Sequence, residues 1–363
     1  MSAAETAAAM PRLFEFTTEH EALREVMRRF LGAHAGAGDR RASWERLVAG
    51  LGLDEVVFGP SDGETAFTAI ELAIVAEEAG AELFGGPLVS AAAVGPLTAR
   101  WPGADLRGGK ALPALGVSMA GADPALRSSR DGTRVSGRVE PVWDLPGARV
   151  IVCDVAVGGE VGVVALNAYA PGVAVTELGG LDLSRGLGRV ECADAPVLFA
   201  LSGTAAATVL AAARRRAELV LSAELLGLAQ RVLDRTVEYA KGRVQFGRTI
   251  GSFQAVKHRL ADLLASVELT RSAVYNAAWS LATDPVSVHT DVDLAAAASV
   301  ATESALTATK SAVQLHGGIA ITWEHWAHRY LRRAHAVSAL TGGPAHQRGR
   351  LADLIDLRDG RYD

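Results

Sequence analysis

From Ala205 onward the apolar residues recur at intervals of three and four along successive stretches, each too long for a strand. Leu221, Leu225, Leu228, Val232, Leu233 and Val237 form one stripe; Phe253, Val256, Leu260, Leu263, Leu264 and Val267 form the next. Alanine-rich Val292 to Leu315 gives a third, and Trp323 to about Leu340 a fourth. Pro344 then suits the first position of a fifth helix. Amphipathic helices in series bury their stripes against one another, so residues 202–363 are expected to form a four-helix bundle. Its first helix is expected to run about 35 residues, or about 50 Å at 1.5 Å per residue.

The rest of the chain changes period twice. Residues 1–110 read as helical, with Thr18 as a cap before Leu23, Val26, Met27, Phe30 and Leu31, and a second run from Thr65 to about Gly80. Gly85-Gly86-Pro87 then punctuates the chain. Over 111–201, short Val-rich runs at Ala114–Met119, Thr133–Val139, Arg149–Val157, Val161–Leu166 and Val173–Leu178 alternate with Gly, Pro and Asp turns. The expected class is mainly α with a middle β domain (α+β): a helical domain, a small antiparallel sheet or barrel, and the bundle.

A net charge of −5 without a long basic run argues against a nucleic-acid partner. No uninterrupted apolar stretch reaches the ~18 residues of a membrane span. Met1 to Met10 is Ala-rich, carries Glu5 and lacks the basic start of a signal peptide. Cys153 and Cys192 offer neither a disulfide framework nor a metal spacing, so a reducing, cytoplasmic compartment is the simpler expectation. His325, His328 and His335 lie with Glu324 on one expected helix, but the paired Glu-x-x-His set of a bundle metal site is absent, and no metal is expected.

Chemistry concentrates at two inter-helix junctions. The first runs from Glu238 to His258, turning through Phe246-Gly247 and Ile250-Gly251. Arg243 alone would read as a complement to a helix dipole. Grouped with Phe246 and Gln254 around one turn, it offers a guanidinium fork, a ring face and an amide, a set suited to a dinucleotide. The second is Gln314-Leu-His-Gly-Gly318, whose glycines serve either as a helix C-cap or as backbone a ligand approaches closely.

In this order and spacing, Arg243, Phe246, Gly247, Gln254, Gln314, Gly317 and Gly318 resemble the C-terminal pattern of the acyl-CoA dehydrogenase family. The likeness reaches back to Gly227-Leu-Ala-Gln230 and on through Tyr330-Leu-Arg-Arg-Ala334. It is strong from Leu219 onward and weaker before Ala200. It implies a tetramer with FAD in a cleft between subunits and an acyl-CoA thioester as substrate. A carboxylate base would take the α proton, a β hydride would pass to the flavin to give a trans-2-enoyl-CoA, and an electron-transfer flavoprotein would accept the electrons. The residues implied as flavin contacts are Arg243, Phe246, Gln254, Gln314, Gly317 and Gly318.

Departures from the pattern point to a subtype. The place of the family's usual catalytic Glu holds Thr341, before Gly342-Gly343-Pro344. The alternative place, on the first bundle helix, holds Ala217; its neighbour Glu218, about 100° around the helix, is a weak candidate base and is expected on a solvated face. Glu224 is expected to be structural. The loop that usually holds the flavin corresponds roughly to Gly116–Pro124, where only the small-residue character of the family's run survives; Trp143 is read equally as core or flavin-facing. Arg214-Arg-Arg216 reads as a solvated helix face or as a contact for the CoA 3′-phosphate. The chain thus keeps what it would lend a neighbour's FAD and lacks much of what its own would need. That resembles the smaller subunit of heterotetrameric actinobacterial acyl-CoA dehydrogenases acting on steroid side chains. Alternatives are a flavin-dependent monooxygenase of the same fold, or a non-catalytic structural subunit without its own flavin.

Overall fold

The computed structural model describes residues 15–34, 40–59, 67–101, 106–119 and 122–355. The expected Thr65 start of the second helical run, and Ala120-Gly121 of the presumed flavin loop, lie outside them. Helices α1 (Thr18–His34), α2 (Arg40–Glu45), α3 (Asp54–Phe58), α4 (Ala69–Ala81) and α5 (Leu88–Thr98) come first. The α1 cap is Thr17, not Thr18: its Oγ1 accepts from His20 N at 3.4 Å, while Thr17 N donates to His20 Nδ1 at 3.0 Å. Thr68 starts α4 with a reciprocal capping box: its Oγ1 accepts from Ile70 N, and Glu71 accepts from Thr68 N at 2.7 Å.

Eight strands follow: β1 (Pro113–Gly116), β2 (Leu126–Ser128), β3 (Arg134–Trp143), β4 (Val150–Val157), β5 (Glu160–Asn167), β6 (Val173–Leu178), β7 (Leu187–Pro196) and β8 (Phe199–Leu201). Their order is β6-β7-β3-β1-β4-β5-β8, with β2 sharing β1's lane between β3 and β4. Pairing is antiparallel except that β1 and β2 both run parallel to β4. Period-two alternation divides β4 between two cores. Val150 and Val152 face the helices, whereas Ile151, Cys153 and Val155 face a second apolar cluster on the sheet's other side. Cys153 and Cys192 are free thiols in that second cluster, and burial raises both pKa values.

The bundle comprises α6 (Gly203–Gly242), α7 (Gln254–Thr283), α8 (Val288–His316) and α9 (Ala327–Leu340), with α10 (Gly343–Leu354) beside α8 and α9. At 40 residues α6 exceeds its expected length and also packs on α4 and α5, tying the bundle to the N-terminal helices. The fourth helix starts at Ala327 rather than Trp323. A 3-10 turn over Gly317–Ile321 carries the chain away first, leaving Trp323 exposed. Pro344 sits in the first turn of α10, as expected.

Candidate functional site

Between α6 and α7 the chain makes a two-residue hairpin, β9 (Val244–Gln245) against β10 (Arg248–Thr249). Its turn residues, Phe246 at φ 54° and Gly247 at φ 76°, are both left-handed, as a tight hairpin with right-twisted strands requires. Glycine occupies that region freely, but for phenylalanine it costs on the order of 1–2 kcal/mol. Nor does the ring gain burial in return, being 91% exposed. Arg243 caps the end of α6, with its N–H on Tyr239 O at 2.9 Å and its side chain exposed. Gln254 opens α7, whose N-cap Phe253 supplies no side-chain acceptor, so the helix offers bare N–H groups and the positive end of its dipole.

The second junction converges on the first. Tyr239, near the end of α6, stacks on His316 at the end of α8 with centroids 4.1 Å apart, and Arg259 Nη1 donates to Ser311 Oγ at 3.4 Å. His316 is packed: its Nδ1 lies 2.8 Å from Ala312 O, and burial lowers its pKa. Beyond it Gly317 takes φ 69°, ψ −148°, a conformation essentially restricted to glycine. Nothing lies within 4 Å of where a Cβ would stand on Gly317 or Gly318. All six predicted contact residues therefore lie at one end of the bundle, each exposed. A guanidinium, an aromatic face, two amides and bare glycine backbone, all uncovered, fit a flavin nucleotide approaching from outside. The other half of a flavin site does not fit. Trp143 is buried with Arg185 over its ring, and the Asp144 that follows accepts from Ser90 Oγ at 2.6 Å.

The expected base positions meet elsewhere. Ala217 is core, with no exposed surface. Thr341 is buried, and its hydroxyl donates to Val337 O at 2.9 Å, the i−4 carbonyl of its own helix. Glu218 is not on a solvated face: it is 7% exposed, lines a cavity of about 610 Å³ with Thr341, and accepts from Arg350. Burial raises its pKa above the ordinary 4.5, against the lowering effect of Arg350. A carboxylate with a raised folded-state pKa loses stabilisation as pH rises from about 4.5. Glu218→Gln is therefore expected to gain melting temperature relative to wild type as pH increases from about 4.5, and to level off once pH passes the raised folded-state value. A wild type that instead gains on the variant with pH would mean that Arg350 outweighs burial.

The Arg214–Arg216 run is half-buried rather than on a fully solvated face. Arg215 grips Asp291 with both forks at 2.7 and 2.8 Å. Arg216 donates to Ala92 O and to Val57 O, each at 2.8 Å. Pro96, lacking an N–H, leaves Ala92 O without its helical donor, and Val57 O is an end carbonyl of α3. With no carboxylate beside it, burial lowers the Arg216 pKa to about 10. Glu224 is structural as expected, accepting Arg185 Nη2 on both oxygens. The cavity residues Ser222, Arg350 and Gln347 carried no sequence signal, because the wall forms only when α10 packs across α8 onto α6.

A family model described as the acyl-CoA dehydrogenase C-terminal domain matches residues 204–355. The acyl-CoA dehydrogenase IpdE2 of Mycobacterium tuberculosis is 30% identical over 357 residues, spanning 93% of this chain and 97% of its own. The ChsE4-ChsE5 complex of the same organism superimposes with TM-score 0.82 at 28% identity, covering 94% of this chain and 98% of that one. PigA, solved as an FAD complex, shares the fold with TM-score 0.79 at 20% identity, over 95% and 99% of the two chains. With these likenesses beside the two converging junctions, the chain belongs to the acyl-CoA dehydrogenase family.

Proposed function

We propose that this chain takes part in FAD-dependent α,β-dehydrogenation of an acyl-CoA thioester as the subunit that completes a partner chain's FAD site in a heterotetramer. One observation carries the reading. The contact set of Arg243, Phe246, Gln254, Gln314 and Gly317–Gly318 is complete and uncovered, whereas the same chain's base position is Thr341 and its Trp143 is core. Arg243 would hold a phosphate through its guanidinium, Phe246 would cover a ring face, and the glycine pair would let the nucleotide rest on backbone. When bound, the flavin supplies a hydride acceptor. The partner would supply the base, electrons would leave to an electron-transfer flavoprotein, and a steroid-type acyl group is the favoured substrate. No helix of the described residues is long and apolar enough to cross a membrane, and a cytoplasmic setting suits the chemistry.

Co-expression with neighbouring reading frames tests this. The chain alone should purify colourless, and the complex yellow. Losing a charge-assisted hydrogen bond of about 1.5–3 kcal/mol, Arg243→Ala should weaken flavin binding by roughly ten- to a hundred-fold. Full flavin loading by the chain alone, or an Arg243→Ala complex that keeps wild-type affinity, would overturn the assignment. A second reading, an active homomer, is favoured by Glu218, the one buried carboxylate sharing Thr341's cavity whose pKa burial raises. A yellow homomer whose turnover disappears in Glu218→Gln would establish it.

A further inference from the structure

The glycine pair of the second junction lies in a segment with little burial of its own. Of residues 317–325 only Ala320 is buried, while Ile319, Ile321 and Trp323 are left exposed. A segment with so few buried side chains opens at little cost unless its ends are fixed. Those ends are His316, the last residue of α8, and Trp326, the residue before α9.

Both ends are fastened to one face of α6. Tyr239 stacks on the His316 ring at 4.1 Å and 21°. Arg235, one helical turn earlier on the same face, places its guanidinium 5.3 Å from the centre of the Trp326 ring. The two fastened rings also meet each other, edge to face at 5.2 Å. His316 is the middle of this row, flat against α6 on one side and against the far end of the segment at its edge. Its ring angle is set by Nδ1, which donates to Ala312 O at 2.8 Å, since a carbonyl can only accept. One turn beyond Tyr239 stands Arg243, whose backbone N–H donates to Tyr239 O at 2.9 Å. The residue that grips His316 thus also anchors the end of α6 from which Arg243 projects.

We infer that His316 is a positioning residue for the flavin nucleotide: it pins the neck of the 317–325 segment to α6 and so sets the glycine backbone in register with Arg243. It acts through its neighbours rather than by touching the ligand. Arg243 offers a guanidinium from the end of α6, and Gly317–Gly318 offer bare backbone from the end of α8. A ligand spanning both needs the two helix ends at a fixed separation, and a binding group is only as well placed as the packing behind it. Without the ring, the α8 end of the segment loses its contact with Tyr239 and the glycines shift relative to Arg243. The inference rests on the proposed function, which gives this register a ligand to serve.

The test uses the co-expressed complex, stripped of flavin and titrated with FAD by flavin fluorescence. His316→Ala should weaken FAD binding about ten-fold or more, whereas His316→Phe, which keeps the ring without the N–H, should stay within about three-fold of wild type. Tyr239→Leu should weaken binding by a similar factor and add little to His316→Ala, since both cut one contact. It carries the expectation by itself if His316→Ala does not fold. Val75→Ala, a fully buried change on α4, should lower the melting temperature and leave FAD affinity unchanged. Wild-type affinity in His316→Ala, no rescue by His316→Phe, or an equal loss of affinity in Val75→Ala overturns the inference and leaves the proposed function standing. A second readout needs no flavin. Amide hydrogen exchange over 317–325 in the chain alone should quicken about ten-fold or more in His316→Ala, but not in His316→Phe or Val75→Ala. Unchanged exchange in His316→Ala overturns the inference as well. A wild-type complex that takes up no FAD sinks the proposed function instead, and faster exchange in His316→Ala would then establish the pin without it.

Discussion

Arg333→Met should destabilise the chain by about 3–5 kcal/mol, because it strands carboxylates in the interior. Arg333 is 2% exposed, donates to Asp182, Ser184 Oγ (2.8 Å) and Phe84 O (3.2 Å), and lies 3.6 Å from Glu224. Glu224 is bound in turn by Arg185, which lies 3.8 Å from Asp144. The cluster joins α9, the segment between β6 and β7, and α6, so its loss loosens the sheet from the bundle. Burial pushes the Asp182 carboxyl up, but Arg333, the hydroxyl and amide of Ser184, and Arg185 together outweigh it and hold that carboxyl below the ordinary 3.8. Asp182 therefore contributes stability above that value and loses it as pH falls. Without the guanidinium, ionised Asp182 becomes a liability, so the variant's deficit should shrink as pH is lowered toward 3.8. Arg333→Lys should recover only part of the loss, since an ammonium lacks the fork that reaches three partners. Urea midpoints across pH check this. An Arg333→Met midpoint matching wild type at pH 7 would mean that the cluster adds nothing to cohesion.

That cluster also shows what the sequence could disclose. Helical periods over Leu221–Val237 and Phe253–Val267 named α6 and α7, because a bundle helix writes its buried stripe into the chain. That Arg243, Phe246, Gln254 and Gln314–Gly318 gather at one end of the bundle was legible for a related reason: the first three lie within a dozen residues of one turn, and Gln314–Gly318 end one helix. Strands β2 and β8, three residues each, are too short to write a period, and β7 interleaves Arg189, Glu191 and Asp194 on its open face. Glu218 and Arg216 defeated local reading in the same way. Each charge faces inward only because a remote segment supplies its partner: Arg350 for the one, and carbonyls freed by Pro96 and the end of α3 for the other. A charged residue on a helix reads as solvated until the tertiary neighbour is known.

Gly227→Ala should prove more disruptive than the ~1–3 kcal/mol of ordinary overpacking, although it adds only one methyl group. A Cβ on Gly227 would stand 1.7 Å from Glu77 O, and a Cβ on Gly80 would stand 2.0 Å from Glu224 O. The two glycines face each other's helix, so α4 and α6 touch backbone to backbone. No rotamer relieves a clash with a carbonyl oxygen, and the helices must part. Parting them moves Glu77 and Glu224, and both hold buried partners. Glu77 accepts from Arg24 at 2.7 Å and from Tyr275 at 2.5 Å, while Glu224 holds Arg185. The substitution therefore loosens two ion-pair clusters besides the helix contact. Because both glycines guard one crossing, Gly80→Ala added to Gly227→Ala should cost far less than it does alone. Gly32→Ala supplies the opposite sign: it sits in α1 with open space where its Cβ would go, and should stabilise by up to about 1 kcal/mol through helix propensity. Soluble yield and urea midpoints of the four variants decide the matter. If Gly227→Ala tracks Gly32→Ala, the crossing is not what sets the distance between the bundle and the N-terminal helices.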